Sequence, residues 1–363
     1  MIKVLHIRSS FNPGGTETLL LNLYNYKQDR IKFYFVFIRG GKYVSKLNNN
    51  SNVYFEFYRK LFLDLNVLKK LYSVVKENDI TILHTHQEIE LLYAVILKFF
   101  KPTIKIFHSI HLTNQHYNFD HYFEKFLTRF ANKILPVSMS LKNHLIKKGY
   151  PLHKLFTLYN SVSLPANVDE HKIRTFKELI KYSTDDYIIL MTGNFRPEKD
   201  QLTVVKAFNR LREKYLRLKL VFIGQESNET AACKNITNAD DLNKRVFYLG
   251  SLEDAWIYLK VCNLFVFSSL SETFGIAVIE SLLMKTPVLA SDIDIMKELS
   301  VNEKYFSLFE TGNEKHLAEK IEWFIKNENI DSVKEKIYSA YNYALSKFSY
   351  DTFVNNLADI YCG

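Results

Sequence analysis

Cysteine is scarce in this chain: Cys233, Cys262 and Cys362 are the only three among 363 residues. They are odd in number, scattered and in no metal-ligand spacing, so a disulfide framework is not expected and a reducing, cytoplasmic setting fits. Long apolar runs are missing too. The longest, near residues 91–100, is broken by Lys98 and is well short of the roughly 18 residues that suggest a membrane span. The opening MIKVLHIRSSF has too few apolar residues before Arg8 for a signal peptide and reads as a first strand. No repeat or low-complexity linker interrupts the chain. Zinc-finger spacing, an RNP-type aromatic signature and long Lys/Arg runs are all absent, which sets nucleic acid aside as a partner.

What the chain does have is apolar content and uneven charge. With 47% hydrophobic residues over 363 positions, it can bury a sizeable core, and its length suggests two domains. Residues 1–165 hold 23 Lys+Arg against 10 Asp+Glu, a net +13, while the remainder carries −4. Charge asymmetry speaks to partners rather than to fold. The basic first half is expected to face an anionic surface, and the inner face of the cytoplasmic membrane is the favoured one.

Up to about residue 160, apolar runs at 4–7, 33–38, 53–57, 82–84, 104–108 and 134–137 alternate with stretches of helical periodicity. Such alternation predicts βαβ units and a parallel sheet, with ligands at the carboxyl ends of the strands. The first strand runs into Asn12-Pro13-Gly14-Gly15-Thr16-Glu17, ahead of a helical stretch over 18–26. Glycines there let a ligand approach the backbone at a helix N-terminus. A plain tight turn gives the same letters, and the G-x-G-x-x-G dinucleotide fingerprint is absent. His84 and His86 end one predicted strand, and His108 and His111 end another. A His-x-His pair could ligate a metal, but no adequate further ligands stand at a recognisable spacing, so no metal site is expected. Any one of the four could equally be structural.

A second series of strands is predicted at 187–192, 218–224, 246–250 and 264–269. The first ends in Gly193-Asn194-Phe195-Arg196-Pro197-Glu198-Lys199-Asp200, ahead of a helix from 202. Arg196 and Lys199 suit a pyrophosphate; the alternative is a solvated polar turn. The last strand leads into the stretch the chain is organised around, SSLSETFGIAVIESLLMKTPVLASD at 268–292. It reads as strand, loop and buried helix. Glu272 lies in the loop, beside helix N–H groups that have no intrahelical partner and attract phosphate. Glu280 shares a helix face with Ile276, Ala277 and Leu283, where an ionised carboxylate costs free energy unless something polar meets it. A ribose diol or a backbone group would serve.

Glu272 and Glu280, with seven residues between them around a T-F-G turn and followed by P-V-L-A-S-D, resemble the E-x7-E signature of retaining glycosyltransferases of family 4. Within that family the chain most resembles the branch that builds bacterial capsular and exopolysaccharides. The resemblance implies an α/β GT-B fold, two Rossmann-like domains with parallel sheets facing across a cleft. The acceptor-binding domain would span 1–165, the nucleotide-sugar-binding domain 166–345, and a helix over 346–363 would cross back to the first. It also implies metal-independent, retaining transfer of a hexose from a nucleotide-sugar, UDP-sugar favoured, to a lipid-linked or saccharide acceptor, with no cofactor. His108 takes the place of the active-site histidine, with His111 as the alternative, and Glu272 and Lys199 complete the catalytic set. Gly15, Arg196, Lys199, Thr273, Phe274, Gly275 and Glu280 would hold the donor, with backbone near Phe247 and Leu249 reading the base. Gly14, Glu17, His86 and His111 would line the acceptor side. Ser138, after L-P-V, resembles a helix cap, and Y-N-S-V at 159–162 resembles the family's Y-N-G-V with Ser161 for glycine. One departure is Asn194, where the family commonly has arginine, leaving Arg196 to supply that charge from a shifted position. Asp292-Ile293-Asp294 only superficially matches the metal-binding D-x-D of the other large glycosyltransferase fold. Two rival readings are a GT-B nucleotide-sugar epimerase, which needs no acceptor, and a catalytically silent, membrane-associated partner subunit.

Overall fold

The computed structural model describes residues 1–363 apart from 13, 27–28, 48–52, 59–62, 112–118, 163 and 165–167. The chain divides into two compact units, Met1–Ser163 together with Tyr350–Gly363, and Leu164–Ser349. In the first unit the order is β1 (Ile2–Arg8), α1 (Gly15–Asn25), β2 (Ile31–Phe37), β3 (Val53–Glu56), α2 (Leu65–Glu77), β4 (Ile82–Thr85), α3 (Glu88–Phe100), β5 (Lys105–Ile110), α4 (Phe119–Leu127), β6 (Lys133–Pro136) and α5 (Met139–Lys147). The second unit runs α6 (Glu170–Leu179), β7 (Tyr187–Thr192), α7 (Gln201–Leu211), β8 (Leu218–Ile223), α8 (Asn228–Ile236), β9 (Val246–Tyr248), β10 (Leu264–Phe267), α9 (Ile276–Leu283), β11 (Val288–Ser291), α10 (Asp294–Ser300), β12 (Ser307–Phe309), α11 (Glu314–Asn327) and α12 (Asp331–Phe348). The chain then returns to the first unit as α13 (Tyr350–Cys362). That return begins at Tyr350 rather than at 346, because α12 continues as one helix to Phe348.

Each unit contains a six-stranded parallel sheet, ordered β3-β2-β1-β4-β5-β6 in the first and β12-β11-β10-β7-β8-β9 in the second. Counted from each unit's own first strand, these are the same doubly wound order, with the reversal between β1 and β4 and again between β7 and β10. The strands read as continuous apolar runs because helices cover both faces of such a sheet; β8 is buried along its whole length. In the first unit Phe33, Phe35 and Phe37 of β2 pack with Leu20 and Leu23 of α1 and with Phe353 and Leu357 of α13. In the second, Val204 and Phe208 of α7 meet Leu220 and Phe222 of β8 and Ile321 of α11. Ser138 caps α5, its hydroxyl accepting from Leu141 N at 3.1 Å. No described helix is long and apolar enough to cross a membrane.

Candidate functional site

In the second unit β7 and β10 are paired neighbours, Leu264 opposite Ile189 and Phe265 opposite Leu190. The crevice beyond the carboxyl ends of strands at such a reversal is where open α/β sheets bind ligands, and the loops after these two strands carry the predicted residues. The loop after β7 is pinned to the loop after β8 and to the start of α7. Asn194 Oδ1 accepts from Gln225 N at 3.0 Å, and Gln201 Nε2 donates to Asn194 O at 3.2 Å. Gly224 permits this approach, since a Cβ there would stand 2.0 Å from Gly193 O. From the end of β10, Ser268 Oγ lies 2.9 Å from both Lys199 O and Asp200 O, while Leu270 N donates to Glu198 O at 2.8 Å. The two loops thus form one built object, and on it Lys199 Nζ donates to Glu272 Oε2. Both side chains remain about one-fifth exposed, 22% and 19%.

Gly275 starts α9 at φ 92°, and a Cβ there would meet Met296 Cε at 2.5 Å. Only glycine suits that start. The backbone N–H groups ahead of Val278, which itself bonds Gly275 O, have no carbonyl within the helix and leave partial positive charge at this corner. On the same helix Glu280 is half-buried, and no described residue donates a hydrogen bond to its carboxylate. Burial, aided by the charge of Asp254, pushes its pKa up to about 7. Arg196 is largely exposed, its guanidinium 3.7 Å from Glu198. Thr273 and Phe274 are buried in the loop before Gly275. Asp292 follows β11, with Oδ1 2.9 Å from Thr311 N and 2.7 Å from Thr311 Oγ1.

The reversal in the first unit, between β1 and β4, brings His6 opposite His84. Arg8 at the end of β1 is clamped by two buried carboxylates: Nε donates to Glu17 Oε1 at 2.9 Å and Nη1 to Glu90 Oε1 at 3.2 Å. Glu90 also accepts from Ser9 N at 2.6 Å and His86 N at 2.8 Å. Gly14, which precedes α1, has no room for a Cβ beside Glu17 Oε2, and Gly15 is the helix's first residue. Beside this clamp the rings of His111, His86 and His6 form a string. His86 Nδ1 lies 3.0 Å from His111 Nε2, and His86 Nε2 lies 3.1 Å from His6 Nδ1. Burial drives His6 and His111 down to about 3 and His84 and His86 well below the ordinary value. For all but His6, positive charge on neighbouring rings or Arg8 adds to it. The rings are therefore neutral, and in each contact one donates while the other accepts.

His6, His84 and His86 offer nitrogens that all lie within 4.8 Å of one another. A tetrahedral zinc at about 2.0–2.1 Å from each nitrogen would draw them to roughly 3.4 Å. His84 moreover gives both nitrogens to oxygens, Tyr361 OH at 2.5 Å and Ser109 Oγ at 2.8 Å. As it stands the group is a hydrogen-bonded stack of rings.

Two expectations need correction. His108 is wholly buried in mid-strand, with Nδ1 2.8 Å from Thr85 Oγ1 and Nε2 3.1 Å from Glu124 Oε1, so neither nitrogen is open to a sugar; His111, just past the end of β5, is half-buried. Glu17 gives its carboxylate to Arg8 instead of lining an open acceptor surface. Leu249 N donates to Phe222 O at 3.0 Å as part of the sheet, and the Phe247 ring is buried, which leaves base reading there to backbone carbonyls. Arg8, Glu90, Glu124 and His6 were not foreseen. Two of them had a signal: Glu90 and His6 are polar residues set in otherwise apolar runs, and such a residue needs a partner.

Family models match both units, "Glycosyltransferase Family 4" over residues 13–164 and "Glycosyl transferases group 1" over 173–343. An uncharacterised glycosyltransferase of Methanocaldococcus jannaschii is 27% identical over 173 residues, 46% of this chain and 39% of that protein. The capsular polysaccharide biosynthesis glycosyltransferase CapM of Staphylococcus aureus is 25% identical over 217 residues, 57% of this chain and 56% of its own. The chain thus spans less than two thirds of the length of these curated relatives. Among solved structures, Anabaena HepE, seen with UDP and with UDP-glucose, has a TM-score of 0.83 at 18% identity. The UDP complex aligns over 99% of this chain and 100% of that one, a likeness of fold.

Proposed function

The chain belongs to the GT-B glycosyltransferases, as models that together take in both units indicate, and from that premise we propose that it transfers a hexose, with retention, from a UDP-sugar to a lipid-linked or saccharide acceptor in surface-polysaccharide synthesis. The observation that carries this is the Lys199–Glu272 pair beside the uncapped start of α9, with Glu280 on that helix taking no hydrogen bond. The donor diphosphate lies against that corner, where Lys199, Arg196 and backbone N–H groups stabilise the charge that develops as it leaves; no metal ion is needed for this. Preorganised donors of this kind commonly account for the greater part of an enzyme's rate enhancement. Glu280 accepts from the ribose hydroxyls, and Glu272 orients the sugar. Within the first unit His111, rather than His108, is the histidine that serves the acceptor, held by His86, whose backbone N–H bonds the Glu90 of the Arg8 clamp. The acceptor hydroxyl attacks C1 on the face the diphosphate leaves. The C1–O bond to phosphate breaks, the new C1–O bond forms, and a departing phosphate oxygen takes the proton.

HepE's ligands support a UDP-sugar, and CapM's name supports the polysaccharide setting. The +13 first half supports a station on the anionic inner face of the cytoplasmic membrane. Thermal protection by UDP-sugars tests the donor site, and NMR of the product's anomeric centre tests retention. Lys199→Ala is expected to lower kcat by roughly 10²–10³, and Glu280→Ala to weaken UDP binding about tenfold, the loss of ~1.4 kcal/mol. Unaltered binding and turnover in both variants would defeat the reading. Product formed without acceptor would favour the epimerase.

A further inference from the structure

We propose that α4 and the turn that follows it, with the end of α3, dock the protein on anionic lipid through an aromatic and basic face of the first unit. The inference deepens the membrane station proposed above and rests on it. Residues 91–168 contain ten Lys and Arg but only two acids, Asp120 and Glu124, so this stretch concentrates the first unit's positive charge. Glu124 turns inward onto His108. What faces out is aromatic: Phe99 is 70% exposed, Phe100 66%, Phe126 51% and Phe130 36%. These rings touch. Phe126 and Phe99 each lie 5.9 Å from Phe130, centroid to centroid. Aromatic side chains of this size ordinarily sit in cores, and a contiguous exposed cluster marks an interaction surface.

Cations rim the rings. Arg129 Cζ is 5.8 Å from the Phe126 centroid. Lys98 Nζ donates to Phe130 O at 3.3 Å, and Lys154 Nζ to Arg129 O at 2.6 Å, so both ammonium groups gather on the backbone of this turn. Among the described residues Lys98, Lys101, Arg129 and Lys154 have no carboxylate within 4.0 Å. Carbonyl oxygens hold Lys98, Lys101 and Lys154 in place without neutralising them, so the group attracts anions, and phosphate headgroups suit it. Aromatic rings favour the headgroup level of a bilayer, where Lys and Arg meet anionic lipid.

The test is co-sedimentation of the full chain with phosphatidylcholine vesicles, with and without phosphatidylglycerol at roughly a third of the lipid. Binding is expected only to the anionic vesicles and is expected to fall at least tenfold between about 0.1 and 0.5 M salt, as screening shortens the reach of the charges. Phe99→Ser with Phe126→Ser, and separately Lys101→Glu with Arg129→Glu, are each expected to lose tenfold or more. Trp323→Ser, at an exposed aromatic of the second unit, is expected to bind as wild type, and UDP is expected to protect all of these proteins equally against heat. Binding that ignores lipid charge, or variants that bind as wild type, would overturn the proposal. A dimer in sedimentation velocity that the phenylalanine pair dissolves without lipid would overturn it too, making the face a self-interface. Loss of UDP protection in wild type, with lipid binding intact, would instead defeat the glycosyltransferase reading alone.

Discussion

Glu280 and the buried histidines titrate against the fold in opposite senses. With its folded pKa raised to about 7, Glu280 keeps a proton that the unfolded chain releases near 4.5, so its contribution to stability is present at low pH and is lost as pH rises through that window. Glu280→Gln should therefore stabilise the ligand-free second unit above pH 7 by about 1–3 kcal/mol, while weakening UDP binding; urea unfolding with and without UDP measures both. His6 and His111, held down to about 3, behave in reverse. The unfolded chain binds protons below 6.5 that the folded one refuses, so stability is complete above that value and lost as pH falls toward 3. Each ring kept neutral costs about 1.4 kcal/mol per pH unit inside the window. Between pH 7 and 5 the first unit should lose amide protection in hydrogen exchange, and His6→Leu should flatten that slope. A first unit indifferent to pH would show that these rings charge without penalty. Glu280 could be singled out from sequence because a carboxylate interrupts an apolar helix. The string from His6 to His86 could not, since it closes between residues 80 apart, one on β1 and one just past the end of β4.

At the scale of the element, α9 depends on the residue at its N-cap. Gly275 combines φ 92° with a Cβ position 2.5 Å from Met296 Cε, so Gly275→Ala meets two separate penalties, backbone strain and a clash. A loss of about 1–3 kcal/mol is expected for the strained φ alone. Adding Met296→Ala should relieve the clash and leave the strain, and chemical denaturation of the single and double variants separates the two. If Gly275→Ala matched wild type, the helix could begin elsewhere, and the phosphate corner with it. Elements of this kind were legible where the pattern was long. The run Tyr187–Thr192 coincides with β7, and the apolar stretch over 275–284 contains α9. Strand β12, Ser307–Phe309, was not foreseen because only Leu308 and Phe309 are apolar between Ser307 and Glu310, too short a run to show a period, whereas the equally short β9 lies inside the longer run 246–250. Asn194 departs from the family pattern, and its role is structural: its Oδ1 holds Gln225 N, a contact between loops that no local spacing announces.

For the molecule as a whole, the same strand order is built twice, and in each unit the polar residues gather where that order reverses. The alternation of apolar runs and helical stretches carried the fold, whereas the site needed strands brought together from far apart, as with Lys199 and Glu272, 73 positions apart. The last helix extends this dependence on distant sequence to stability. Tyr350, Phe353, Val354, Leu357 and Tyr361 are each at most 7% exposed within the first unit. Tyr350 OH donates to Leu19 O at 2.8 Å, and Tyr361 OH meets His84 Nδ1 at 2.5 Å. Burying a large apolar side chain stabilises by roughly 1.5–3 kcal/mol, so the five together contribute about 10 kcal/mol, comparable with the whole 5–15 kcal/mol stability of a domain. A chain ended after Ser349 should then leave the first unit unfolded and the second, whose core contains none of these residues, folded. Hydrogen exchange should show peptides from β7 to β12 still protected and those from β1 to β6 exchanging freely. Tyr361→Phe keeps the packing and leaves His84 Nδ1 without its oxygen, and should cost only about 1–3 kcal/mol. Protection of β1–β6 that survived the truncation would mean that the first unit's core closes without α13.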